Sequence, residues 1–115
     1  MRPTPAPPAH LELTSVLNAL ADPVRLHLLA QLRDGDEVAC GTFDAPVSKS
    51  TLSHHFRVLR EAGVIATERV GSRALNTLRR EQLDAAFPGL IDCVLDAHLG
   101  LHAAPARQSG AVPAE

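Results

Sequence analysis

The run VSKSTLSHHFRVLREAG, residues 47 to 63, decides the reading of this 115-residue chain. Ser48 is a good N-cap, because its hydroxyl can accept from the free N–H groups of a first helical turn. Leu52, Phe56 and Leu59 follow at spacings of four and three, which puts them on one helical face, and Val58 and Ala62 widen that stripe. Gly63 is a natural stop. The spacing therefore predicts a helix from Ser48 to Ala62. Its opposite face is polar: Lys49, Ser50, Thr51, Ser53, His54 and Arg57 fall in or near the first two turns, where short hydroxyls, an imidazole and long cations reach base edges and phosphates together. His54 and His55 are adjacent, so they point about 100° apart on a helix and do not form a chelate. One is expected to face outward while the other packs against the scaffold.

Working outward, Val64 to Val70 and Arg73 to Leu78 read as two extended segments joined at Gly71-Ser72, a pair suited to a tight hairpin. Arg69 and Arg73 flank its tip, placed for the backbone or minor groove of a duplex. Exposed arginines on a hairpin also serve as an ordinary solubilised edge. Upstream, Leu13, Val16, Leu17 and Leu20 recur at helical spacing, and Asp22-Pro23 marks the start of a second helix running to about Arg33, with Asp as cap and Pro at the first helical position. That helix is expected to bury Leu26, Leu29 and Ala30, with Leu28 and Leu32 close by. Ala39 to Asp44 is read as a brief supporting helix kept short by Gly41 and Pro46, with the turn at Phe43 to Ser48. Downstream, Arg79 to Leu83 opens another helical stretch, and Phe87, Leu90, Ile91, Val94, Leu95 and Leu99 continue an apolar face after Pro88. The fold class is mainly α with a small β-hairpin, a winged helix-turn-helix. A last helix so apolar on so small a domain is expected to pack against a second copy.

Charge agrees once it is divided by position. The net charge is only −2, but residues 47–80 hold seven Lys and Arg against Glu61 and Glu68, or +5, between acidic flanks of −3 (residues 1–46) and −4 (residues 81–115). A basic segment set between acidic ones is what a phosphate-facing surface looks like; a solvated charged face is the plain alternative. The chain is long enough for one core and too short for two. With three Phe and neither Trp nor Tyr, that core must come from Leu, Val, Ile and Ala. Residues 1–10, Pro-rich, are expected to be a flexible arm, 11–102 the domain, and 103–115 a disordered tail. No apolar run approaches the roughly 20 residues that cross a bilayer, and no signal sequence is legible, so a cytoplasmic protein is expected. Cys40 and Cys93 are far apart and outside any CxxC pair. No nucleophile, base and acid constellation is legible, which argues against an enzyme.

LADPVRLHLLAQL followed by STLSHHFRVLREAGVI and an arginine-bearing hairpin closely resembles the ArsR/SmtB family of bacterial metal-responsive repressors, over roughly residues 13 to 100. The resemblance implies a homodimer formed through the first and last helices, binding a palindromic operator in double-stranded DNA and releasing it when an inducer binds. Many members carry two cysteines in the supporting helix, where this chain has EVACGTFD with Cys40 alone, and one thiolate cannot hold a soft metal. Others place an Asp-x-His pair on the last helix and a His further along; Asp96-x-His98 is present here, but Ser109 stands where the second half is expected. His98 and His102 sit four apart, a spacing at which two imidazoles chelate Ni2+ or Zn2+. His10 on the arm is a candidate third ligand, and Asp96, which points away from His98 in an ideal helix, joins through a frayed end or from the partner subunit. Three plainer readings stand beside this one: His98 and His102 as ordinary surface polar residues, Cys40 or Cys93 as a redox or metal contact, and a regulator controlled by a partner protein. A winged-helix protein-interaction module is the competitor from another class, although it has no need of the +5 segment.

Overall fold

The computed structural model describes residues 10–33, 38–39 and 47–100. The elements run α1 (Leu13–Leu20), α2 (Pro23–Leu32), β1 (Val38–Ala39), α3 (Lys49–Glu61), β2 (Ile65–Val70), β3 (Arg73–Leu78), α4 (Arg80–Ala86) and α5 (Leu90–Leu99). The expected arm over 1–9, the tail from 103, His102 and the turn and supporting-helix residues 40–46 lie outside the described residues.

Local chemistry explains the two helices that matter most. α2 begins where Asp22, in extended conformation, accepts from the N–H groups of Val24 (2.8 Å) and Arg25 (3.2 Å), with Pro23 at the first helical position. Partial burial pushes the Asp22 carboxyl up, but those N–H donors and the Arg25 charge outweigh it, and the net direction is down. α3 begins at Ser48, whose Oγ accepts from Thr51 N–H at 3.3 Å. It ends in a Schellman arrangement: Gly63 sits at φ 83°, its N–H donates to the Arg60 carbonyl and the Val64 N–H to the Leu59 carbonyl, both at 3.0 Å.

The helices close over one core. Val16, Ala19 and Leu20 from α1, Leu28, Leu29 and Leu32 from α2, Phe56 and Leu59 from α3, Ile65 and Leu78 from the strands, Leu83 from α4 and Ile91 and Leu95 from α5 are all buried. Leu13 and Leu17 stand 48% and 42% exposed, while Ala19 of the same helix is buried. The expected burial of Leu26 and Ala30 is corrected. In α2, Leu26 and Ala30 are half-buried, and Leu28, Leu29 and Leu32 are the deepest residues.

β2 and β3 pair antiparallel from Ile65↔Leu78 to Val70↔Arg73 around Gly71, which at φ 64° uses the left-handed region open to glycine. A third strand was not anticipated. Val38 and Ala39 pair with Asn76 and Leu75, giving the order β1-β3-β2, so Ala39 belongs to a strand and not to the brief helix read from the sequence. The physical reason is that β3 presents an outer row of backbone donors and acceptors, which a short neighbouring strand satisfies.

α5 is tied to the rest by ions as well as by leucines. Arg33, at the end of α2, donates to Asp92 (2.9 and 3.2 Å) and pairs with Asp96 (2.6 Å), while Arg80 of α4 pairs with Asp84 and Asp92. The Arg80 and Arg33 guanidinium groups hold the Asp92 carboxyl below its ordinary value of 3.8. A carboxyl whose folded value is depressed stabilises the fold above its unfolded value and loses that contribution as pH falls through the folded one. Asp92→Asn is therefore expected to lower the melting temperature at pH 7. The difference from the parent protein shrinks toward zero as melts are taken below about pH 4; a difference independent of pH contradicts this account of the network.

Candidate nucleic-acid interface

α3 presents its polar face to solvent because its apolar face is engaged. Phe56 and Leu59 are buried and Leu52 half-buried on one side. At about 100° per residue, Ser50, Ser53, His54 and Arg57 then fall together on the opposite side, flanked by Lys49 and Thr51. Each of these six residues, and Ser48, is exposed. The first turn carries a hydroxyl cluster, in which Ser48 Oγ donates to Thr51 Oγ1 at 3.0 Å and lies 3.2 Å from Ser50 Oγ. These groups sit at a helix N-terminus, where unpaired N–H groups and the helix dipole favour an approaching phosphate. The adjacent histidines divide as their spacing requires: His54 is exposed, and His55 is buried.

The wing stands beside this helix. Glu68, Arg69, Val70, Ser72 and Arg73 are exposed, and Val70 keeps half of its surface in solvent at the tip. A polar path links helix to wing. Arg60 Nη1 donates to Thr67 Oγ1 (3.4 Å), and Thr67 Oγ1 donates to Oδ1 of the fully buried Asn76 (2.7 Å). At the same, C-terminal end of the helix, Arg79 Nη1 donates to the Gly63 carbonyl at 3.0 Å. These interior groups were not anticipated from the sequence, since Thr67 and Asn76 carry no pattern beyond that of an exposed hairpin.

The residues considered for metal are not assembled in the same way. His10 and His98 are both exposed, and Cys93 is an exposed free thiol. Among the described residues no group of three or more His, Cys, Asp or Glu is placed to hold an ion. The Asp96 carboxylate pairs with the Arg33 guanidinium at 2.6 Å. His102 and Cys40 are outside the described residues.

An exposed cationic helix face beside a two-stranded wing, on a helical core, defines a winged helix-turn-helix DNA-binding regulator. Comparison with known proteins agrees. A helix-turn-helix domain family model matches residues 20–68. The chain is 34% identical over 77 residues to an arsenical resistance operon repressor of Staphylococcus xylosus, an alignment covering 66% of this chain and 74% of that protein. It is 33% identical over 94 residues to the transcriptional regulator NmtR of Mycobacterium tuberculosis, covering 81% and 78%. Among solved structures, that of M. tuberculosis Rv0081 matches with a TM-score of 0.54 and 27% identity, over 73% of this chain and 90% of that one. The chain belongs to the ArsR/SmtB family of transcriptional regulators. It is a DNA-binding regulator, not an enzyme, and among the described residues no helix is long and apolar enough to cross a membrane.

Proposed function

We propose that the chain acts in the cytoplasm as a homodimeric repressor that seats α3 of each subunit in the major groove of a palindromic duplex operator. Residues 11–102 form the operative domain, with 1–10 as arm and 103–115 as tail. Ser48, Lys49, Ser50 and Thr51 meet phosphates at the helix N-terminus, Ser53, His54 and Arg57 reach base edges, and Arg69 and Arg73 take the flanking backbone or minor groove. The observation that carries this reading is the face of α3, whose hydroxyls, imidazole and cations are all exposed while its apolar residues are spent on the core. Dimerisation is supported by large apolar side chains left in solvent on the first and last helices, Leu13, Leu17 and Leu99. The test is selection of bound duplexes from a random pool, followed by footprinting. Two protected half-sites related by inverted symmetry, about one helical turn or a multiple apart, are the expected result; a footprint without symmetry contradicts the dimeric reading.

The effector reading that the residue types support is a divalent ion, Ni2+ or Zn2+, held by His98 and His102 with His10 from the arm, and with Asp96 joining through a frayed helix end or from the partner subunit. Replacing both His98 and His102 with Ala is expected to abolish any nickel- or zinc-dependent change in operator affinity while leaving metal-free affinity within about twofold, since neither residue belongs to α3 or the wing. A metal response unchanged in that variant places the ligands elsewhere. The Arg33–Asp96 ion pair favours a second reading, in which the regulator has no metal site of its own and answers to a partner protein or another effector.

A further inference from the structure

Arg25 is a cation in an unfavourable place. Its side chain is only 11% exposed, and it stands in the first turn of α2, the end of a helix that disfavours positive charge. A nearly buried guanidinium is tolerated only where its donors are satisfied, and three different elements satisfy this one. Nε donates to the Ala19 carbonyl at 2.7 Å and Nη2 to the Asn18 carbonyl at 3.2 Å, both at the C-terminal end of α1. Asp22, the cap of α2, lies 4.0 Å from Nη1. The same Nη1 donates to Nδ1 of His55, on the inner side of α3, at 3.1 Å. Arginine has no acceptor, so Nδ1 must be the bare nitrogen and His55 the tautomer protonated on Nε2.

A planar fork with fixed donor directions constrains rotation in a way that leucine packing does not. Phe56 and Leu59 hold α3 against the core through contacts that carry no fixed direction, whereas the bond to His55 is directional. His54 is the next residue, its ring centroid 5.8 Å from that of His55, so any turn of α3 at His55 moves the outward sector with it.

We infer that Arg25 is a positioning residue for duplex recognition: without touching DNA it fixes the rotation of α3 through His55, and sequence discrimination depends on that bond. The inference rests on α3 being the recognition helix. It is tested with Arg25→Lys, which keeps the charge and loses the fork; His55→Leu, which removes the acceptor; and His55→Gln, whose side-chain oxygen restores one. Affinity is measured well below each melting temperature, against a duplex selected from a random pool by the parent protein and a scrambled duplex of the same composition, over a salt series. Arg25→Lys and His55→Leu are expected to lose on the order of tenfold on the selected duplex, as for a lost bond to a charged group, with unchanged affinity for the scrambled one. His55→Gln recovers most of the loss, and the Arg25→Lys/His55→Leu double variant is no worse than the poorer single one. If Arg25→Lys does not fold, the two His55 variants carry the comparison. An unchanged ratio between the two duplexes means that the contact is structural only and overturns the inference. A loss shared by both duplexes with a shallower salt slope means that Arg25 meets phosphate directly, and overturns it as well. Arg57→Ala in the same series separates the two claims. Loss there with none at Arg25 and His55 overturns positioning alone, and no loss in any variant overturns the assignment of α3 too.

Discussion

Arg57→Ala is expected to weaken operator binding by about 1–3 kcal/mol per half-site, so roughly twice that for a dimer engaging both, with the fold intact. Arg57 lies in the centre of the outward sector of α3 and is exposed. Its loss therefore costs the protein itself no more than about 0.5 kcal/mol. The form of the loss identifies the contact. If Arg57 reads a base, discrimination disappears at one position of each half-site. If it meets phosphate, affinity falls evenly across sequences and the log–log salt slope shrinks by about 0.9 for each contact removed. Anisotropy titrations on point-substituted duplexes, paired with thermal melts, separate these outcomes. Full affinity in the Arg57 variant at moderate salt contradicts the assigned face.

Phe56→Ala acts on the other side of the same helix and has the largest expected effect on stability. Phe56 is 3% exposed, and removing such a side chain costs about 3–5 kcal/mol in lost transfer energy and cavity. Against a total of about 5–15 kcal/mol for a small domain, that is a large share. The melting temperature is expected to fall by on the order of 15 °C or more. Leu52→Ala, at a half-buried position, is expected to cost less. A melt within a few degrees of the parent protein for Phe56→Ala means that α3 is seated on a different face, which displaces Ser53, His54 and Arg57 from the surface as well.

The parts of the fold that were legible are those specified by neighbouring residues. Asp22-Pro23 starts α2 because cap and first turn are adjacent in sequence, Ser48 and Gly63 bound α3 for the same reason, and Gly71-Ser72 turns the hairpin. The winged helix-turn-helix class and the division of His54 from His55 followed from helical and strand periodicity. Periodicity says that a helix has an apolar face, but not what covers it. Leu13 and Leu17 lie on the stripe of α1 and yet are exposed, whereas Ala19, too small to mark a pattern, is fully buried. α2 is apolar nearly all round, so its spacing could not rank Leu28 and Leu32 above Leu26 and Ala30. β1 is two residues long and pairs with a strand far along the chain, which leaves almost no local signal. The ion pair of Arg33 with Asp96 and the bond from Arg25 to His55 join residues remote in sequence. Both are tertiary facts, which no local spacing carries.

The central claim is sequence-specific recognition of duplex DNA by the basic middle of the chain. Its most direct test is fluorescence anisotropy of the protein against a pool-selected duplex and a scrambled one, across a series of salt concentrations. The account predicts binding at least about a thousandfold tighter to the selected duplex at physiological salt, with both affinities falling linearly in log–log form as salt rises. Equal and weak binding to both duplexes, or affinity indifferent to salt, contradicts it and points instead to a winged helix that binds another protein.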